Sequence, residues 1–187
     1  MALSIREMNT RAVTELSEVI NRINDTEVAQ LLNQLAAAGR IACYGVGREG
    51  LMIKALAMRL FHLGLDCHVV GDMTTPPLGA GDLLLISAGP GYFSTVAALT
   101  ATAQKDGATV ACFTAQPAGE IPLQADLVVT LPAQTMADDS TAPSSFLPMG
   151  SLYEGVQFLF YEYLILLLRD RLKADPIEMR GRHTNLE

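Results

Sequence analysis

The chain is 187 residues long, half of them hydrophobic and 18% charged, with a formal net charge of −7. That size suits one domain spanning residues 1–187 with a core between two helical layers, and the composition excludes a disordered segment. An acidic balance without clustered Lys and Arg disfavours nucleic-acid and anionic-membrane surfaces, and leaves room only for a local pocket that takes a small anion.

Apolar residues at helical spacing (Met8, Ala12, Leu16, Val19, Ile20, Ile23) predict a first helix over 5–23, with Ser4 as its N-cap. Asn24-Asp25 breaks it, and a second helix over 26–38 stops at Gly39. A regular alternation follows. A strand over 40–44 leads through a glycine loop, 45–50, into a helix over 51–63 that Gly64 ends. Strands are expected at 67–70 and 83–88, the latter apolar almost throughout. A helix over 94–105 ends at Asp106-Gly107, and strands are expected at 109–113 and 127–131. Apolar strands alternating with helices imply parallel pairing buried on both faces, hence a three-layer α/β/α sandwich around a five-stranded parallel sheet.

Residues 132–148, rich in Ser, Thr, Ala and Pro, read as a loop, and loops that long in compact domains are usually functional or mobile. A long helix over 150–173 is apolar almost all round in its middle, which points to a subunit interface. Asp175-Pro176 caps a short final turn. The run 158–168 is interrupted by Glu162 and is too short to span a membrane, and the N-terminal residues lack an apolar leader segment. Cys43, Cys67 and Cys112 form no CxxC pair and lie in apolar runs, as buried reduced thiols of a cytoplasmic protein would.

Two turns carry the candidate chemistry. Gly45-Val46-Gly47-Arg48-Glu49-Gly50 satisfies G-x-G-x-x-G between a strand and a helix, and Asp72 follows the next strand where a ribose ligand would sit. A dehydrogenase needs a substrate-binding part as well, for which little chain is left over. Any strand-to-helix turn that brings backbone close to an anion favours glycine equally. The second turn, residues 87–95, leaves the middle strand for a helix and carries the hydroxyls of Ser87, Ser94 and Thr95. Ser94 and Thr95 are also eligible as plain N-caps. Neighbouring strand ends of this kind form the crevice in which α/β sheets bind ligands. The candidate substrate-binding residues are therefore Gly47, Arg48 and Glu49 from the first turn, with Ser87, Gly89, Gly91, Tyr92, Ser94 and Thr95 from the second.

Gly45-Val46-Gly47-Arg48, Met58-Arg59-Leu60-Phe61-His62-Leu63-Gly64, Gly71-Asp72-Met73-Thr74-Thr75-Pro76, Pro148-Met149-Gly150-Ser151-Leu152-Tyr153-Glu154 and Arg182-His183-Thr184-Asn185-Leu186-Glu187 together resemble the sugar isomerase (SIS) family. The resemblance implies a flavodoxin-like α/β/α domain, a homotetramer, no metal and no cofactor, and isomerisation of a sugar phosphate through an enediol. It also implies Glu154 as the base that takes the carbon-bound proton, and His183 as a proton shuttle or ring-opening group. Glu187 offers a further carboxylate, while His62 and His68 read as structural. The chain departs from the family at both turns. Glu49 stands where the family has serine, and Ala88, Pro90, Tyr92 and Phe93 replace its Ser-Gly-Ser-Gly-Glu-Thr pattern. Arg48 is expected to pair with an anionic ligand or with Glu49. A binding module of altered specificity for a carbohydrate derivative is the alternative to an isomerase.

Overall fold

Short runs of apolar residues become strands here because helices on both sides take up their side chains. The computed structural model describes residues 3–139 and 144–186, so residues 140–143 of the expected loop and the carboxylate of Glu187 lie outside the described residues. In chain order the elements are α1 (Ile5–Ile20), α2 (Asp25–Ala37), β1 (Ile41–Tyr44), α3 (Gly47–His62), β2 (Cys67–Val69), β3 (Leu83–Ser87), α4 (Ser94–Lys105), β4 (Thr109–Thr114), α5 (Glu120–Gln124), β5 (Leu127–Thr130), α6 (Ser151–Leu172) and α7 (Pro176–Gly181).

All pairings are parallel, in the order β2-β1-β3-β4-β5. The five-stranded parallel sheet is thus as expected. Every residue of β3 is buried, and successive side chains point to opposite faces. Leu83 and Leu85 join a core with α1, α2, α3 and α6 through Val19, Leu31, Leu56 and Phe160. Leu84 and Ile86 join a second core with α4 and α5 through Val96 and Ile121. Each fully buried aliphatic side chain contributes roughly 1.5–3 kcal/mol, so the middle strand ties the layers together.

The caps match their sequence signals. Ser4 and Glu7 form a reciprocal capping box, Asn24 accepts from the Thr26 N–H, and Asp175 accepts from the Ile177 N–H. Two differences from expectation go beyond a few residues at element ends or bear on the cleft. Helix α3 begins at Gly47 rather than 51, so Arg48 and Glu49 belong to its first turn and not to a loop. Helix α5 was not anticipated. It has five residues, one of them Pro122, and is too short to show a period.

The order reverses between β1 and β3, because the chain goes to one side from β1 and to the other from β3. A crevice opens outside the carboxyl ends of the strands at such a point. Gly50 brings its walls together. A Cβ there would stand 2.4 Å from the Gly45 carbonyl oxygen, so only glycine lets α3 start this close to the end of β1.

Candidate functional site

A cleft of about 540 Å³ lies at this switch point. The first turn of α3 (Gly47, Arg48, Glu49) forms one wall, and Pro90, Tyr92 and Phe93 form a second. The segment before α6 adds Thr135, Met136, Pro148 and Met149, and the first turn of α6 adds Ser151, Tyr153 and Glu154. Neither α3 nor α6 has a side-chain cap, and both point their N-termini at the cleft, where the helix dipoles favour negative charge.

Glu154 sits in the first turn of α6 with its side chain 14% exposed. Burial pushes its carboxyl above the usual carboxylate range, and the Arg48 guanidinium opposes that rise. Arg48 Nε approaches Glu154 Oε2 at 2.5 Å, but outside hydrogen-bond geometry, so the contact is ionic. Arg48 therefore pairs with Glu154 and not with Glu49. Its own side chain is 66% exposed, and it remains within reach of solvent and ligand.

Glu49 turns inward instead. Its residue is 8% exposed, and Oε2 accepts from the Ser87 hydroxyl at 2.6 Å and from the Gly89 N–H at 2.9 Å. Burial raises its pKa, the two donors oppose the rise, and nearby Glu154 adds to it. A carboxyl placed this way favours its neutral form more than one in water does. Behind it, Gln157 Nε2 donates to Ser87 Oγ and to the Tyr161 hydroxyl, both at 2.8 Å, while Ser87 Oγ lies 3.4 Å from the Tyr153 hydroxyl. Burial drives both tyrosines upward in pKa, so they stay protonated.

The structure thus brings together Gly47, Arg48, Glu49, Tyr92 and Glu154, with Ser87 and Gly89 directly behind Glu49. Gly91 lies one turn away against Gly119. Ser94 and Thr95 are exposed at the head of α4 and do not line the cleft. Neither caps that helix, since Phe93 holds the N-cap position. Thr135, Met136, Tyr153, Gln157 and Tyr161 were missed. A signal existed for the last three, which recur every fourth residue along α6 as polar atoms on its otherwise apolar buried face.

His183 lies elsewhere. Its ring is 5.3 Å from that of His62 at the far end of α3, where Arg59, Arg180 and Thr184 complete a second pocket of about 510 Å³. Arg48 and His62 are separated by most of α3, about 20 Å at 1.5 Å per residue. Within one chain, then, His183 and Glu154 do not meet. His62, read as structural, is buried and shares this pocket, whereas His68 contacts Asp66 on the protein edge.

Comparison with known proteins bears on the family and the fold. The SIS domain pattern matches residues 34–154. The 3-hexulose-6-phosphate isomerase of Mycobacterium gastri is 39% identical over 173 residues, which cover 92% of this chain and 86% of the relative. The enzyme of that name from Bacillus subtilis is 36% identical over 94% of this chain and 95% of its own length. Among solved structures, a Methanococcus jannaschii protein for which a 3-hexulose-6-phosphate isomerase function was inferred superposes with a TM-score of 0.84 at 26% identity, covering 97% of this chain and 99% of that one. With the family pattern matching residues 34–154 and relatives at 36–39% identity over most of its length, the chain belongs to the SIS domain family.

Proposed function

We propose that the chain is a sugar-phosphate isomerase of the 3-hexulose-6-phosphate isomerase kind, which moves a carbonyl along the sugar through an enediol. The observation that carries this reading is Glu154, a carboxylate on the wall of the switch-point cleft, partly desolvated and steadied by a single cation. A base with a raised pKa is better matched to taking a carbon-bound proton near neutral pH. In the proposed step Glu154 removes that proton and returns it to the neighbouring, former carbonyl carbon, while the hydroxyl proton of the first carbon passes to the former carbonyl oxygen. Arg48 and the N–H groups opening α3 and α6 stabilise the enediolate oxygen. The relatives named as 3-hexulose-6-phosphate isomerases over most of the chain support the substrate class.

The whole chain acts as one domain, and the working assembly is a cytoplasmic homotetramer. The half-exposed apolar residues Leu51, Met58 and Phe61 on α3, with Phe158, Leu166 and Leu167 on α6, support burial against another copy. Such packing would bring His183 of one copy towards Glu154 of another as a shuttle, which the separation within one chain requires. Three free cysteines are consistent with a reducing compartment.

The test is exchange of solvent deuterium into candidate sugar phosphates, including fructose 6-phosphate. The parent should exchange, and Glu154→Gln should lose about 10²- to 10⁴-fold in rate with binding retained. Undiminished exchange in the mutant would remove Glu154 from the role of base.

A further inference from the structure

The second wall of the cleft has an unusual hydrogen-bond balance. A glycine-rich turn from strand to helix ordinarily presents converging N–H and hydroxyl donors to an anion. Here every donor from residue 87 to residue 91 has an internal partner. The Ser87 hydroxyl and the Gly89 N–H both donate to Glu49 Oε2. The Ala88 N–H donates to the Phe113 carbonyl, the Gly91 N–H donates to the Ala88 carbonyl, and Pro90 has no N–H. The carboxyl is also pressed hard against the turn. A Cβ on Gly89 would lie 2.7 Å from Glu49 Oε1 and 2.8 Å from Tyr153 Cε1.

The geometry points to Glu49 as the specificity-determining residue of the cleft: its carboxyl fills, from within the chain, the anion seat of the turn between β3 and α4. This rests on the cleft being the substrate site, and it sharpens the substrate class. The substrate end that meets this wall carries hydrogen-bond-donating hydroxyls, which the carboxyl accepts, and its phosphate lies elsewhere in the cleft. One effect carries this: the donors of residues 87–91 that an incoming phosphate would use are already engaged. Repulsion by an ionised Glu49 is the competing account.

Inorganic phosphate separates the two. It is titrated into parent, Glu49→Gln and Glu49→Ser, following the Gly89 amide by NMR, with circular dichroism to verify folding. Glutamine keeps the acceptor in the seat without the charge, whereas serine vacates it. Parent and Glu49→Gln should leave the Gly89 amide unmoved, and Glu49→Ser should bind phosphate at least about tenfold tighter, the worth of one charge-assisted hydrogen bond. Parent binding as tight as that of Glu49→Ser would overturn the proposal. An equal gain in Glu49→Gln would overturn it too, by making charge alone the cause. Should the serine variant unfold, Glu49→Gln decides, since parent-like indifference to phosphate supports the occupied seat and a gain refutes it. The readout is phosphate at one amide, so a parent that exchanged no sugar phosphate would count against the isomerase and leave this result standing.

Discussion

Glu49 and Glu154 line one cleft from the first turns of α3 and α6, and burial raises the pKa of both. Their partners differ. Glu154 faces a cation that is itself largely in solvent, so its charge can come and go with little rearrangement. Glu49 is held by neutral donors that belong to a buried chain running through Ser87, Gln157 and Tyr161. Moving a proton at Glu49 would disturb bonds in the core, whereas moving one at Glu154 disturbs one exposed ion contact. The same residue type thus meets an exposed cation at the head of α6 and a buried hydrogen-bond network at the head of α3.

The largest expected difference between the walls is kinetic. Glu154→Gln should lose about 10²- to 10⁴-fold in solvent exchange, while Glu49→Gln, which keeps the acceptor, should lose no more than about tenfold. Equal losses would merge the two carboxyls into a single catalytic unit.

Stability should rank the other way. Glu49→Ala leaves the Ser87 hydroxyl and the Gly89 N–H without their acceptor, at a cost of about 1–3 kcal/mol for each buried group, measured by urea unfolding. Gly89→Ala should cost about 1–3 kcal/mol, since its methyl meets Glu49 and Tyr153 at once.

The pH dependence sharpens the contrast further. With Glu49 raised in the folded state, the folded protein binds a proton that the unfolded chain releases near its ordinary value of 4.5. Stability from this group is therefore full below that value and is lost as pH rises through the folded pKa. Denaturant midpoints taken across this range should fall less steeply for Glu49→Gln than for the parent. Glu154→Gln should flatten the slope less, because Glu154 is nearer solvent and has a cation beside it. A larger change in Glu154→Gln would reverse the assignment of the more buried carboxyl.

The smallest effect on stability belongs to Arg48. Its exposed pairing is worth less than about 1 kcal/mol, so Arg48→Ala should scarcely move the unfolding midpoint. It should nevertheless shift the acid limb of the exchange profile upward in pH, since the guanidinium holds the Glu154 pKa down.

Much of the fold was legible because strands such as β3 are apolar at every position but one, a pattern that only a sheet covered on both faces satisfies. The cleft's location followed from two glycine turns after neighbouring strands. The roles within it did not follow. Arg48 meets Glu154 across more than a hundred residues of chain, and no local pattern encodes such a contact. Glu49 read as a cleft residue and as a partner for Arg48, and the register that turns it inward instead depends on α3 starting at Gly47. His183 looked like a companion of Glu154 because chain order carries no information about which end of α3 a tail reaches.

The chain has no tryptophan and five tyrosines, two of them, Tyr153 and Tyr161, buried beside the Glu49 seat. Phe113 packs 4.9 Å from Tyr161, ring centroid to centroid, fixing an asymmetric surrounding for that chromophore. Near-ultraviolet circular dichroism is therefore weighted toward the packing under this cleft. The protein carries its own optical reporter at the place where its specificity is set.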